Sequence, residues 1–213
     1  MKKLLRKMIA GVLAVIVIVG AVLIVKTAGK PDASDYELRT AAAAIAPLSA
    51  AATEEELTEY ARGIIAAIAN REYGVLSSVV HADFGVVFSP YSTVSLATDR
   101  CFTAQQIADF DSDDEKYIWG VYDVSGEPIE MTPAEYFDEF VFDADFTECE
   151  NFGVDEFLRT GNALENITEV FPEARFVDCY MPDGDNWNSL RLVFEEKDGS
   201  LWLTAIVHSE YTI

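Results

Sequence analysis

The sequence predicts an α+β domain that is joined to a membrane by an amino-terminal transmembrane helix. Three observations lead to this class: an uncharged apolar stretch near the start, helix-capping signals in the middle of the chain, and a run of strands at its end. Half of the 213 residues are apolar, which is enough for one hydrophobic core. Because helices and strands are segregated with little β-α-β alternation, we expect short helices packed on a curved antiparallel sheet.

The apolar stretch, residues 8–25, has the sequence MIAGVLAVIVIVGAVLIV and carries no charge. At about 1.5 Å per residue it spans roughly 27 Å, close to the thickness of a bilayer core of about 30 Å. The alternative is a cleaved signal peptide, whose apolar region normally has roughly 7–15 residues. Cleavage after Ala28 or Gly29 would also place Lys26 or Thr27 where a small residue is needed. The pattern favours a retained anchor and leaves cleavage open.

Charges around the stretch predict its orientation. Four basic residues precede it, and only Lys26 and Lys30 follow it closely. Because basic flanks stay in the cytoplasm, we expect a single-pass protein of the cell membrane with its carboxyl-terminal body outside the cytoplasm. Six of the 15 basic residues lie in residues 1–30, so the remainder carries nine bases against 37 acids, a net charge of −28. Such a body repels phosphate backbones, which argues against a nucleic-acid partner.

The chain divides into three segments. Residues 1–26 are predicted to form the cytoplasmic basic tip and the transmembrane anchor. Residues 27–52 are rich in alanine, contain two prolines and show no amphipathic period, which is typical of a spacer. Residues 53–213 are predicted to form the extracytoplasmic α+β domain.

Capping boxes and hydrophobic spacing locate the helices. Thr53 is followed by Glu56, and Thr132 by Glu135, so each pair predicts a helix start with reciprocal hydrogen bonds. The first helix is expected to end near Asn70. Further short helices are expected over Tyr73–Val80, from Thr103 and within Asn162–Val170. The predicted strands are Phe84–Phe88, Tyr117–Tyr122, Pro128–Met131, Arg175–Met181, Ser189–Glu195 and Ser200–His208, the last two forming a hairpin.

Two resemblances cover the predicted domain. Its helices before VVHADFGVVFSPY and its terminal sheet ending in LRLVFEEKDGSLWLTAIV resemble the cystatin-like cone of nuclear-transport-factor-2-like and SnoaL-like domains. This resemblance implies a curved sheet that can enclose a pocket, in a fold that hosts isomerases, dehydratases and scaffolds. The segments YIWGVYDVSGEPIEMTPAEYFDEFVFDADF and GNALENITEVFP resemble exported domains of uncharacterised bacterial membrane-anchored proteins and lipoproteins. That family has no assigned activity to transfer.

His81 and Asp83 are the candidates for acid–base chemistry. They lie where the second predicted helix meets a strand, and a histidine beside a carboxylate can act as a general base and its orienting partner. The alternative interpretation is that Asp83 caps a turn and His81 hydrogen-bonds the backbone. In the enzyme interpretation, Tyr91 and Trp119 would line a pocket for a small apolar ligand. The histidines and cysteines match no zinc motif, and neither a metal site nor a cofactor is predicted.

Aromatic residues are the candidates for ligand binding. Trp187 stands between two asparagines in a predicted polar loop, where an exposed indole would suit stacking on a sugar or a peptide. His208 follows the apolar run of the last strand and is expected to pack against aromatic side chains. With these two residues, Tyr91 and Trp119 complete the predicted ligand-binding set.

Cys101, Cys149 and Cys179 are an odd number of cysteines, so at most one internal disulfide can form. The fold is therefore not expected to depend on a disulfide framework. The acidic cluster at Asp183–Asp185 resembles half of a calcium loop, but no glutamate stands at the twelfth place. It is interpreted as a solvated loop.

These observations favour a membrane-anchored extracytoplasmic domain that binds rather than catalyses, with an unknown small molecule, glycan or protein as partner. Residues 8–25 would supply the contact with the membrane. The competing hypothesis is a cone-fold isomerase or dehydratase that uses His81 and Asp83. An empty cavity lined by Tyr91 and Trp119 would favour the enzyme, and a filled interior would favour a binding or structural role. A third hypothesis, a structural spacer or assembly subunit, predicts a dry core and one exposed apolar patch.

Overall fold

Capping boxes mark the start of three of the five α-helices within residues 45–211. A computed structural model describes residues 45–211 of the chain. Its helices are α1 (Glu54–Ala69), α2 (Tyr73–Ser77), α3 (Ala104–Ala108), α4 (Pro133–Tyr136) and α5 (Ile167–Val170). The Thr53 N–H donates to the Glu56 carboxylate at 2.8 Å, and the Glu56 N–H donates to the Thr53 hydroxyl at 3.2 Å. This reciprocal pair confirms the predicted capping box at α1, and matching pairs begin α3 and α4.

The strands form one large sheet and one separate hairpin. They are β1 (Leu48–Ser49), β2 (Val86–Ser89), β3 (Arg100–Phe102), β4 (Tyr117–Val121), β5 (Pro128–Met131), β6 (Asn151–Val154), β7 (Arg175–Asp183), β8 (Asn186–Lys197) and β9 (Ser200–Glu210). The large sheet has the order β3-β2-β9-β8-β7-β6, and β1 also pairs with β9. The strands β4 and β5 pair only with each other among the described residues.

The α+β class is confirmed, but the expectation of an antiparallel sheet is wrong in one place. The sheet is mixed because β2 runs parallel to β9, with Val87 opposite Ala205. A parallel pair needs a long connection between its strands, and the chain between β2 and β9 supplies one by passing through most of the domain. This pairing places β2 directly beside the last strand, β9.

One predicted segment, the membrane span, lies outside the described residues, and another, the spacer, lies partly within them. The predicted membrane span, residues 8–25, lies outside them. Within residues 45–211, no helix combines the length and the apolar character that crossing a bilayer requires. At the end of the predicted spacer, β1 pairs Leu48 with Leu201 of β9, so the sheet begins before Thr53.

Both faces of the large sheet are covered. Leu192 and Phe194 of β8 lie in the core cluster formed with α1, whereas the intervening Val193 packs with Ile167 and Phe171 in a second cluster. This alternation follows from the two-residue period of a strand. The second face is therefore covered by the chain between β6 and β7, residues 155–174.

Aromatic rings fill the space between the first face and the β4–β5 hairpin. The fully buried Trp119 stacks on Tyr136 with ring centroids 3.9 Å apart, and Phe102 and Phe88 lie at 5.0 and 5.4 Å from it. Its indole N–H donates to the Met131 carbonyl at 2.8 Å. The side chain that was predicted to line a pocket is thus a central part of the core.

The cysteines lead to a testable prediction about thiol reactivity. All three are free, with Cys101 exposed and Cys149 and Cys179 buried. The hydrogen bond with Cys149, followed by burial, raises the pKa of the Cys179 thiol. We therefore expect the native protein, purified without reductant, to react at one thiol with a soluble aromatic disulfide reagent and at three after unfolding. A single reactive thiol in the unfolded protein would contradict this prediction and show a Cys149–Cys179 disulfide.

Candidate functional site

A buried histidine at the end of β9 joins four parts of the fold. The His208 side chain is only 2% exposed. Its Nδ1 lies 2.9 Å from the Pro90 carbonyl oxygen, just after β2, and its Nε2 lies 3.1 Å from Asp143 Oδ2, just after the helical turn that continues α4. Asn188 of β8 donates a further hydrogen bond to the same Asp143 oxygen. The ring also packs edge-on against Phe140, as predicted for His208.

The partners of His208 fix the charge of its ring. A carbonyl oxygen only accepts hydrogen bonds, so Nδ1 carries a proton. Burial lowers the pKa of His208, but the hydrogen bond and the charge of Asp143, together with the Pro90 carbonyl, outweigh burial and raise it. Burial likewise opposes the charge of Asp143, yet His208 and Asn188 lower its net pKa. Both ring nitrogens therefore face hydrogen-bond acceptors, and the two pKa shifts favour the charged His208–Asp143 pair over a free base.

A third ionisable side chain, that of Glu210, lies near the pair and lines a small concavity at the surface. Glu210, the exposed last residue of β9, has a carboxylate oxygen within 4.8 Å of both the Asp143 oxygen and the His208 nitrogen. A cavity of about 10 Å³ adjoins Glu210 and has room for about one water molecule. Its lining consists of Tyr91, Ser92, Asp123, Gly161, Ala163, Ser209 and Glu210. One polar atom in this region, Asp143 Oδ1, is buried and has no hydrogen-bond partner.

The structure brings together two of the four predicted ligand-binding residues. Tyr91 is half-buried on the rim of the concavity, and its ring lies 5.9 Å from that of Phe140, which also contacts His208. The expectation that Trp119 lines a pocket is wrong, because its ring is enclosed by the aromatic core. Only Tyr91 and His208 therefore belong to this site.

The expectation that Trp187 is exposed in a polar loop is also wrong. The strand β8 begins at Asn186, so Trp187 is already part of the sheet, where it pairs with Pro182 of β7. Its side chain is 2% exposed, and its ring lies 6.2 Å from that of Tyr180. A buried indole has no free face for stacking on a sugar.

His81 and Asp83 lie at the surface and each has another partner. The His81 Nδ1 accepts a hydrogen bond from the Phe84 N–H at 3.0 Å, as the backbone-bonding interpretation expects. Asp83 is exposed and forms an ion pair with Lys197, which lowers the pKa of the Asp83 carboxyl through a hydrogen bond and its charge. A carboxylate that acts as a general base is favoured by a raised pKa. The shift of the Asp83 pKa is in the opposite direction.

Sequence reasoning missed Asp143, Asn188 and Glu210. Asp143 lies in an acidic run that resembles any solvated loop, and it is 65 residues from His208. The position of His208 at the end of an apolar strand was the available signal, since a histidine there needs polar partners. Its partners follow only from the parallel pairing of β2 with β9 and from the turn after α4.

The second concavity among the described residues is larger and more open. It measures about 180 Å³ and is lined by Arg71, Tyr73, Phe110, Asp111, Ala134 and Asp138. Arg71 is already paired with Asp138 and lies over the Phe137 ring. The lining therefore pairs Arg71 with one of its two carboxylates and leaves Asp111 as an additional negative charge.

Comparisons with known proteins give little further information. No family model matches the chain, and no curated protein matches it. A candidate calcium/calmodulin dependent protein kinase II association domain from Xanthomonas campestris is 15% identical, with 77% of this chain and 91% of that chain covered and a TM-score of 0.34. A DUF4783 family protein from Bacteroides ovatus is 10% identical, with 71% and 94% covered and a TM-score of 0.27. At these TM-scores, neither similarity supports an argument about function.

Proposed function

We propose that this chain is a membrane-anchored, extracytoplasmic and non-catalytic domain that binds a protein partner through its surface. The observation that carries this proposal is the filled interior. The space where a cone fold would hold a ligand is occupied by the rings of Phe88, Phe102, Trp119 and Tyr136, all fully buried. A ligand or partner would then bind at the surface of the domain. The enzyme alternative would need an open cavity beside a free acid–base pair.

The β4–β5 hairpin is the surface that best suits a partner. It pairs with no other strand among the described residues, and it exposes three aliphatic side chains: Ile118 at 55%, Val121 at 42% and Val124, at its tip, fully. Exposed apolar side chains favour contact with another apolar surface. Asp123, Glu127 and Glu130 are exposed on the same hairpin, so the partner should carry basic residues around an apolar centre.

A protein partner is favoured over a glycan and over lipid. Sugars are recognised by stacking on aromatic faces. The most exposed apolar side chains of the hairpin are aliphatic, its Tyr117 and Tyr122 are only partly exposed, and Trp187 is buried. Anionic lipid headgroups would be repelled by the acids of the hairpin and by the −28 charge of residues 31–213. A protein surface with basic residues around an apolar centre would complement both the exposed aliphatic side chains and the acidic residues of the hairpin.

The location of the domain gives the first test of this proposal. A reporter that is active only outside the cytoplasm, fused after Ile213 of the full-length chain, should be active. Deletion of residues 1–26 from a second version should yield a protein in the soluble fraction, because the predicted anchor is gone. Activity of a cytoplasm-only reporter at the same position would overturn the proposed location. A truncated chain that stays with the membranes would also overturn it.

A further inference from the structure

The Asp143–His208–Glu210 cluster has the composition and the geometry of a metal site. We propose that these three residues bind a divalent transition-metal ion, with Zn²⁺ as the representative ion. The proposal goes beyond the proposed function and does not depend on it. It rests on the orientation of the imidazole, the spacing of the three ligand atoms and an unsatisfied carboxylate oxygen.

The orientation of His208 is that of a metal ligand. Metal-binding histidines usually donate the second ring N–H to a carbonyl or a carboxylate, which fixes the ring and directs the other nitrogen at the metal. Here Nδ1 is bonded to the Pro90 carbonyl at 2.9 Å, and Nε2 points at the Asp143 carboxylate at 3.1 Å. The Nε2 atom and the Asp143 carboxylate thus lie side by side at hydrogen-bond distance, and an ion bound to both would replace this hydrogen bond.

The spacing of the ligand atoms fits a small tetrahedral ion. With metal–ligand bonds of about 2.0–2.2 Å, tetrahedral ligand atoms lie roughly 3.5 Å apart. The His208 nitrogen and the Asp143 oxygen are close to this separation, and Glu210 lies within 4.8 Å of both. Glu210 is exposed, so a change of rotamer can bring its oxygen closer. Because Glu210 is exposed, solvent can supply a water molecule as the fourth ligand.

The buried oxygen Asp143 Oδ1 provides an independent indication. It has no hydrogen-bond partner, although a buried carboxylate oxygen without a partner is costly. A cation bound by the Asp143 carboxylate would offset this cost electrostatically. The nitrogen ligand favours Zn²⁺ and related transition metals, because Ca²⁺ and Mg²⁺ prefer sites made entirely of oxygen ligands.

Binding exchanges a proton for the metal. The proton between His208 Nε2 and Asp143 is released to solvent, and the freed Nε2 lone pair binds the ion. Asp143 and Glu210 bind as carboxylates, so one proton is released and no redox step is involved. The two carboxylates neutralise the +2 charge of the ion, which makes its partial burial acceptable.

The test uses the full-length protein in detergent, first treated with a chelator and then titrated with Zn²⁺ against a chromophoric competitor. We expect one ion per chain, binding weakened about 100-fold in His208→Gln and at least about tenfold in Glu210→Gln. Glu169→Gln, a change at an exposed glutamate of α5, is the matched control and should bind like the parent. Excess Ca²⁺ or Mg²⁺ should not displace the ion. Since Glu210 is exposed, its variant should remain folded even if His208→Gln does not.

Co²⁺ in place of Zn²⁺ identifies the ligands. We expect visible bands typical of a four- or five-coordinate ion with nitrogen and oxygen ligands, and no thiolate charge-transfer band. A thiolate band would place the metal on the cysteines and overturn the proposal. Absence of stoichiometric binding, or binding that Glu210→Gln leaves unchanged, would overturn it as well.

Discussion

Replacement of Arg191 by alanine should lower the free energy of unfolding by about 3–5 kcal/mol, because removing one partner of a buried ion pair leaves the other charge buried and unpaired. Arg191 lies on the second face of the sheet and is completely buried. It pairs with Glu165 and, at 3.5 Å, with the equally buried Asp178, and its Nη2 donates to the Arg159 carbonyl at 2.9 Å. The variant would leave the charge of Asp178 buried without its cation.

Lys116→Ala is the matched control for Arg191→Ala. Lys116 forms an ion pair with Glu135 in which both side chains are about half exposed. Exposed pairs of this kind contribute about 0–1 kcal/mol, so the control should be nearly neutral. Urea denaturation followed by tryptophan fluorescence measures both variants. Equal and small losses would contradict the inference that the buried ion pairs of Arg191 stabilise the fold.

Trp119→Ala should also cost about 3–5 kcal/mol, because it removes the largest ring of the core and leaves a cavity. Trp202→Ala is its control and should cost less, since Trp202 is only partly buried and donates one hydrogen bond to the Lys197 carbonyl at 3.2 Å. If Trp119→Ala does not fold, Trp119→Phe makes a smaller cavity at the same place. The free energies are measured by the same denaturation series.

The Trp119→Ala variant also tests whether the interior of the parent protein is filled. Apolar cavities that are lined by aromatic and aliphatic side chains bind small apolar molecules. We expect indole to raise the melting temperature of Trp119→Ala but not that of the parent protein. If the parent itself binds indole or another small apolar ligand with a saturating increase in melting temperature, and Trp119→Ala abolishes it, the cone-fold enzyme hypothesis is favoured instead.

Local signals predicted the local structure of this chain. The capping boxes at Thr53 and Thr132 determine where α1 and α4 begin, since both halves of each box lie within four residues. The terminal strands are long and apolar, and they confirm the predicted hairpin of β8 and β9. Strands β3 and β6 have only three and four residues, too few for an alternating pattern to be recognised.

Features that depend on distant pairing could not be predicted. The parallel pairing of β2 with β9 joins residues more than 100 positions apart, and no short-range pattern encodes it. Trp187 was misplaced because β7 and β8 extend further than their apolar residues indicate, which draws a residue between two asparagines into the sheet. At the site, His208 could be predicted as a buried strand-end residue, but Asp143 and Glu210 could not be assigned to it.

Site-specific photo-crosslinking in intact cells tests the central claim, that the β4–β5 hairpin of an outward-facing domain contacts a protein. A photoreactive residue would replace Val124 or Ile118 in the full-length chain, and a control would place it at the exposed Glu169 of α5. We expect a discrete protein adduct from both hairpin positions and none from position 169. Adducts that are absent at the hairpin, or equally strong at position 169, would contradict the proposed contact.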